Sequence, residues 1–263
     1  MADLTWGAAT HPGKARATNE DSALASSPIF VVADGMGGRP GGATASEAAV
    51  AELRSIADDP VTTTDAVLAA VARANEAIAR AAVGDRSGMG TTLVGLALVE
   101  DGSGGECWFG FNIGDSRLYR FVAGALEQLS VDHSEIQELI ATGAVAEASR
   151  HVHPRRNVIT RALGVSLTLP EVECWLLSMV AGERFLLCSD GLHNELSDER
   201  IAAVLAEDGD PSDLAARLVE EAVSAGGRDN VSGVVIEVAG SHTGDRGVAT
   251  LPRPRPADGD GGQ

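Results

Sequence analysis

Four aspartates stand where an apolar run meets glycine or another turn residue: Val31-Val-Ala-Asp34-Gly35, Asn112-Ile-Gly-Asp115, Leu187-Cys-Ser-Asp190-Gly191 and Gly227-Arg-Asp229-Asn230. A fifth acidic site, Asn19-Glu20-Asp21, follows Arg16 by a few residues. Any one Asp-Gly pair is ordinary turn chemistry. Several carboxylates issuing from strand ends are different, because strand ends on one sheet edge can converge while their charges repel. A cation between them resolves the conflict. Oxygen donors without a paired His or Cys favour a hard ion, Mg²⁺ or Mn²⁺, over zinc. Two such ions sharing a carboxylate can acidify a bridging water and generate a nucleophile near neutral pH. Gly35, Gly37 and Gly38 allow the backbone to approach a metal or phosphate closely, and the Gly35 carbonyl is itself a candidate ligand. Arg16 offers a planar bidentate donor for phosphate.

The elements that must position these groups are partly written in the periodicity. Residues 29–33 read as a short apolar strand ending at Asp34. Further strands are predicted at 91–99, 107–113 and 117–122, with Asp101-Gly102 and Val122-Ala-Gly124 as turns, and at 172–177, 184–188 and 231–238. This spacing suits an antiparallel meander. Helices are predicted at 41–57, 64–83, 134–142, 198–206 and 211–225. The second carries Val67, Val71, Ala74, Ile78 and Ala81 on one face, leaves Arg73, Asn75 and Glu76 as surface residues, and has Thr62 and Asp65 in a capping-box-like arrangement. The last opens with Asp210 as N-cap and Pro211 in its first position. Residues 143–169 lack periodicity and read as a functional flap. Helices grouped around runs of strands imply an α+β domain over residues 1–240, with two antiparallel sheets flanked by helices. Residues 241–263, rich in Gly and Pro, are expected to be a disordered tail.

The 263 residues carry 20 Lys and Arg against 38 Asp and Glu, a net charge of −18. So negative a chain repels nucleic acid and anionic lipid, and any anionic substrate must be held by local cations. A hydrophobic fraction of 44% supports a sizeable core. No basic-then-apolar leader and no run of about 20 apolar residues is present, so a cytoplasmic protein is expected. Cys107, Cys174 and Cys188 are odd in number and far apart, which signals neither disulfides nor zinc. Trp6, Trp108 and Trp175 fall in strand patterns and are expected in the core.

As a set, Arg16-Ala-Thr-Asn19-Glu20-Asp21, Val32-Ala-Asp34-Gly35-Met36-Gly37-Gly38, Met89-Gly-Thr-Thr92, Ile113-Gly-Asp115-Ser-Arg117, Ser189-Asp190-Gly191 and Gly227-Arg-Asp229-Asn230 resemble, in order and spacing, the metal-dependent type 2C Ser/Thr protein phosphatases. The likeness covers residues 5–238 and is to the small bacterial members. It implies a four-layer α-β-β-α sandwich and two Mn²⁺ or Mg²⁺ ions bridged by Asp34. The Gly35 carbonyl would bind the second ion, Asp190 and Asp229 would complete the first, and Asp21 with Glu20 would serve the second directly or through water. Asp132 would join Asp190 at a weaker third ion, while Asp115 would hold loop structure. Arg16 would orient the phosphate of phosphoserine or phosphothreonine for in-line attack by the metal-bridging hydroxide, without a phosphoenzyme.

Met36 and Arg39 occupy positions where family members often carry a His, which leaves a metal-bound water as the expected proton donor. No His, from His11, His133, His151 and His153 to His193, is expected to be catalytic. The flap's basic cluster, Arg150, Arg155, Arg156 and Arg161, reads either as phosphopeptide contact by Arg155 and Arg156 or as a solvated loop balancing nearby acids. The partners implied are phosphorylated proteins and a cognate Ser/Thr kinase, with the chain as a monomer. Rival readings are a phosphatase dedicated to one regulatory partner, such as an anti-sigma-factor antagonist, and a catalytically silent phosphoprotein-binding module.

Overall fold

A computed structural model describes residues 3–37, 41–57, 61–100 and 104–239. Gly38, Arg39, the Asp101-Gly102 turn and the tail from 241 lie outside the described residues, as does the side chain of His151. The chain runs β1 (Asp3–His11), β2 (Asp21–Ser26), β3 (Ile29–Met36), α1 (Gly41–Arg54), α2 (Thr64–Ala81), β4 (Gly90–Thr91), β5 (Leu93–Glu100), β6 (Glu106–Ile113), β7 (Arg117–Val122) and β8 (Ala125–Gln128). It continues through α3 (Glu135–Ala141), β9 (Glu173–Ser178), β10 (Arg184–Cys188), α4 (Asp190–His193), α5 (Asp198–Leu205), α6 (Pro211–Ala225) and β11 (Val231–Ala239). One antiparallel sheet has the order β1-β11-β10-β7-β8 and the other β2-β3-β5-β6-β9, with β4 pairing to β3.

Strand alternation builds four layers. Ile29, Val31 and Ala33 of β3 face α1 and α2, whereas Phe30 and Val32 face the other sheet. In β10, Leu186 and Cys188 pack under α5 and α6 while Phe185 and Leu187 point between the sheets. Both faces of the central strands are therefore buried, which is why they read as unbroken apolar runs. Trp6, Phe30, Trp108 and Phe185 cross the inter-sheet core edge to face, each pair of neighbours with centroids 5.5 to 6.4 Å apart. Trp108 is buried, but Trp6 is 36% exposed at the rim and Trp175 is half-buried.

Three local expectations change. The N-cap of α2 is Thr63, whose hydroxyl accepts from Ala66 N–H; Thr62 is buried and pairs instead with β5 through Leu98 O. Strands β1 and β2 escaped the apolar signal because β1 is largely exposed and its register with β11 comes from backbone bonds. Asn75 is not a surface residue: it is 1% exposed and bonds to the chain at 164–167.

Candidate active site

The antiparallel pairing of β2 and β3 sets Asp21 opposite Asp34. The Asp34 backbone is fixed from the other side: its N–H donates to Thr92 Oγ1 (3.0 Å), and its carbonyl accepts from Thr91 Oγ1 and Thr92 N–H, both at 2.9 Å. Asp115 follows β6 in the turn to β7, Asp190 opens α4 directly after β10, and Asp229 precedes β11. Strand ends thus deliver carboxylates from both sheets to one edge. Gly35 is required here by close approach, since a Cβ would lie 2.3 Å from Gly42 O and 2.5 Å from Glu20 O. The Glu20 carboxylate rests against Gly42 in the first turn of α1.

Asp21 is buried, accepts from Ser189 Oγ at 2.7 Å through Oδ2, and leaves Oδ1 without a partner. Burial pushes its carboxyl up to about 7, and the charges of Asp190 and Asp229 add to the rise. Asp34 lies well above the ordinary carboxylate range, from burial and then from Asp21 and Asp190. Asp190 is raised to about 6 by burial and by Asp229. Asp115 is also raised well above its usual value, by burial and then by Asp190, and its Oδ1 is a second buried orphan.

Asp132, expected at a weaker third ion, lines one cavity with Asp115 and is held by protein cations. Burial alone would raise its carboxyl, but the Arg117 fork holds it below the ordinary value with bonds of 2.8 and 2.6 Å. Arg150 reaches the same carboxylate at 3.5 Å and Gln128 at 3.1 Å. Asp132 is thus neutralised by protein cations, while Asp115, read from sequence as a loop former, shares the repulsive field of Asp190.

Arg16 is exposed and donates to Asp229 Oδ2 at 2.6 Å. Its loop is held by Asn230, whose amide donates to Pro12 O and Thr18 O and accepts from Glu20 N–H. On the flap, Arg155 pairs with Glu135 of α3, and Arg156 lines a small cavity with Asp115, Asp132 and His193. His133 Nδ1 accepts from Gly114 N–H, and His193 Nε2 sits 3.0 Å from Asp115 O. Burial, then Arg161 for His133 and Arg117 for His193, lowers their pKa values to about 4 and about 3. Both rings are neutral and serve as hydrogen-bonding struts.

Among the described residues no three carboxylate, imidazole or thiol groups already form a ligand set for one ion. The donor chemistry nevertheless fits a hard divalent cation. Two buried carboxylate oxygens lack partners, and the pKa values are raised partly by mutual repulsion, which a cation removes.

The family profile described as Protein phosphatase 2C matches residues 14–222. The chain belongs to the protein phosphatase 2C family. It is 38% identical to the serine/threonine protein phosphatase PstP of Mycobacterium tuberculosis over 267 residues, 95% of this chain and 50% of that protein. The chain thus spans about half the length of that relative. It is 34% identical to the serine/threonine phosphatase stp of Listeria monocytogenes, over 87% of this chain and 93% of that protein. The crystal structure of M. tuberculosis PstP superposes with a TM-score of 0.82 at 36% identity, covering 90% of this chain and 99% of that one. A structure of the PstP catalytic domain in complex with two manganese ions gives 0.80 at 35% identity, with the same coverage. The paired antiparallel sheets with flanking helices are this family's fold. No helix among the described residues is long and apolar enough to cross a membrane.

Proposed function

We propose that the chain is a Mn²⁺- or Mg²⁺-dependent phosphoprotein phosphatase acting on phosphoserine and phosphothreonine. The observation that carries this reading is the convergence of Asp21, Asp34, Asp115, Asp190 and Asp229 at one edge of the sheets beside Arg16, with an oxygen of Asp21 and one of Asp115 buried and without a partner. Asp34, Asp190, Asp229 and the Gly35 carbonyl would hold two ions, with Asp21 and Glu20 at the second. Asp115 replaces Asp132 as partner of Asp190 at a weaker third position, because Asp132 is already paired with Arg117. When bound, the ions supply positive charge to the phosphoryl oxygens and lower the pKa of water.

The remaining work falls to the chain. Arg16 leaves Asp229 to grip the phosphate, which frees that carboxylate as a ligand; the pair is half exposed, so the exchange costs little. Asn230 and the Gly227 carbonyl, which accepts from Lys14 N–H, keep the Arg16 loop in place. Met36 cannot donate a proton and the buried His133 and His193 are neutral, so the leaving alkoxide takes its proton from water. Arg156, and Arg155 once released from Glu135, would face a bound phosphopeptide. The substrates would be phosphoproteins of a Ser/Thr kinase system in the cytoplasm, met by a monomeric domain spanning residues 1–240.

Asp34→Asn should remove Mn²⁺-dependent hydrolysis of p-nitrophenyl phosphate, by a factor of about 10³ or more. Activity near that of the unaltered protein, abolished equally by chelator, would refute the assignment.

A further inference from the structure

Buried Asn75 of α2 uses every polar atom of its side chain on one segment of the flap. Its Oδ1 accepts from Gly164 N–H at 2.9 Å, and its Nδ2 donates to Ser166 O at 3.0 Å and Leu167 O at 3.3 Å. Next to this clamp, Leu163 exchanges both backbone bonds with Thr91, at 2.9 and 3.1 Å. Gly164 has φ +84°, and a Cβ there would meet Ile78 Cγ2 at 2.0 Å, so the segment is seated tightly on α2. Yet two of the four side chains it exposes, beside Ser166 and Thr168, are large and apolar: Val165 is 67% exposed and Leu167 64%. Large apolar groups presented to water by a fixed backbone mark a contact surface rather than a loose end.

The location says what meets that surface. Thr91 pairs with Gly35 on one side and Leu163 on the other, so the flap segment lies two strand spacings, about 10 Å, from the Gly35 backbone. Val165 Cγ2 and Met36 Cε lie 3.3 and 3.6 Å from the point a Gly90 Cβ would occupy. Met36, Gly90 and Val165 therefore form a continuous apolar lip beginning two residues from Asp34. An extended peptide advances about 3.3 Å per residue, which places the second or third residue from a phosphoserine held at Asp34 over this lip. With a net charge of −18, the protein cannot draw an anionic phosphopeptide by its overall field.

We propose that Val165 and Leu167, set by Asn75, form with Met36 a specificity surface for an apolar residue two or three positions from the phosphorylated residue. This rests on the phosphatase reading above. The test compares the unaltered protein with Val165→Ser/Leu167→Ser, two exposed changes that leave the clamp intact. Substrates are two phosphothreonine peptides differing only in Leu or Ser at the second and third residues on either side, together with p-nitrophenyl phosphate, all with Mn²⁺.

The unaltered protein should favour the Leu peptide about tenfold in kcat/KM, through KM. The double variant should retain at most about twofold preference and unchanged p-nitrophenyl phosphate turnover. Absence of preference in the unaltered protein, or its persistence in the variant, overturns the proposal. So does a concentration-dependent dimer in sedimentation that the variant lacks, since the lip would then belong to a second copy. Failure to hydrolyse any of the three substrates overturns the phosphatase reading instead.

Discussion

Asn230 shows how a single side chain organises the site. It is 5% exposed, and its three hydrogen bonds tie Pro12, Thr18 and Glu20, both ends of the loop that carries Arg16, to the start of β11. In Asn230→Ala that loop loses its anchor, and a displacement of about 1 Å in a phosphate-orienting group costs on the order of 10²-fold in rate. We therefore expect kcat/KM for p-nitrophenyl phosphate to fall about 10- to 100-fold, measured by steady-state kinetics at saturating Mn²⁺. Arg16→Ala should match that loss while leaving stability nearly unchanged, because the Arg16–Asp229 pair is exposed. If the Asn230 variant keeps full activity, its role is confined to folding.

Among the elements, the two sheets are joined by a polar device inside their shared apolar core. Glu183, fully buried, accepts from Trp108 Nε1 at 3.1 Å on one sheet and from Arg120 Nε at 2.7 Å on the other. Burial raises the Glu183 carboxyl, and the hydrogen bond from Val180 N–H together with Arg120 offsets part of that rise. Removing one partner of such a pair leaves an uncompensated buried charge, at a cost of about 3–5 kcal/mol. Arg120→Met should lower stability by that amount in urea denaturation. Restoring balance with Glu183→Gln in the same chain should recover part of it. A loss below about 1 kcal/mol for Arg120→Met would mean the pair is solvated in solution.

For the whole molecule, a small part of the formal charge of −18 acquires a location. Asp21, Asp34, Asp115 and Asp190 are forced together at one edge by the sheets that carry them, so the folded chain is strained electrostatically where divalent ions would relieve it. A ligand binding only the folded state stabilises it by RT ln(1 + [L]/Kd), about 2.7 kcal/mol at one hundred times Kd. Calorimetry should therefore show Tm rising by several degrees with Mn²⁺ at pH 7.5, and the rise should shrink in Asp34→Asn. An equal rise in both proteins would place the ion elsewhere.

The sequence by itself determined the layered α+β architecture, the ends of the central strands and the aspartates at those ends. Apolar runs stopped by Asp-Gly, and Pro211 behind Asp210, are local signals that burial and backbone geometry impose directly. Tertiary structure decided the rest, because it depends on partners distant in the chain. Asp115 and Asp132 look alike in sequence, but only folding brings the Arg117 fork onto Asp132 and leaves an Asp115 oxygen bare. Asn75 has the spacing of a helix surface residue, and only the return of the flap some ninety residues later buries it. Strand β1 has almost no apolar pattern to read, since backbone bonds to a strand over two hundred residues away hold it in place. Charge and hydropathy are properties of residues, whereas pairing and desolvation belong to neighbours, and neighbours are assigned by the fold.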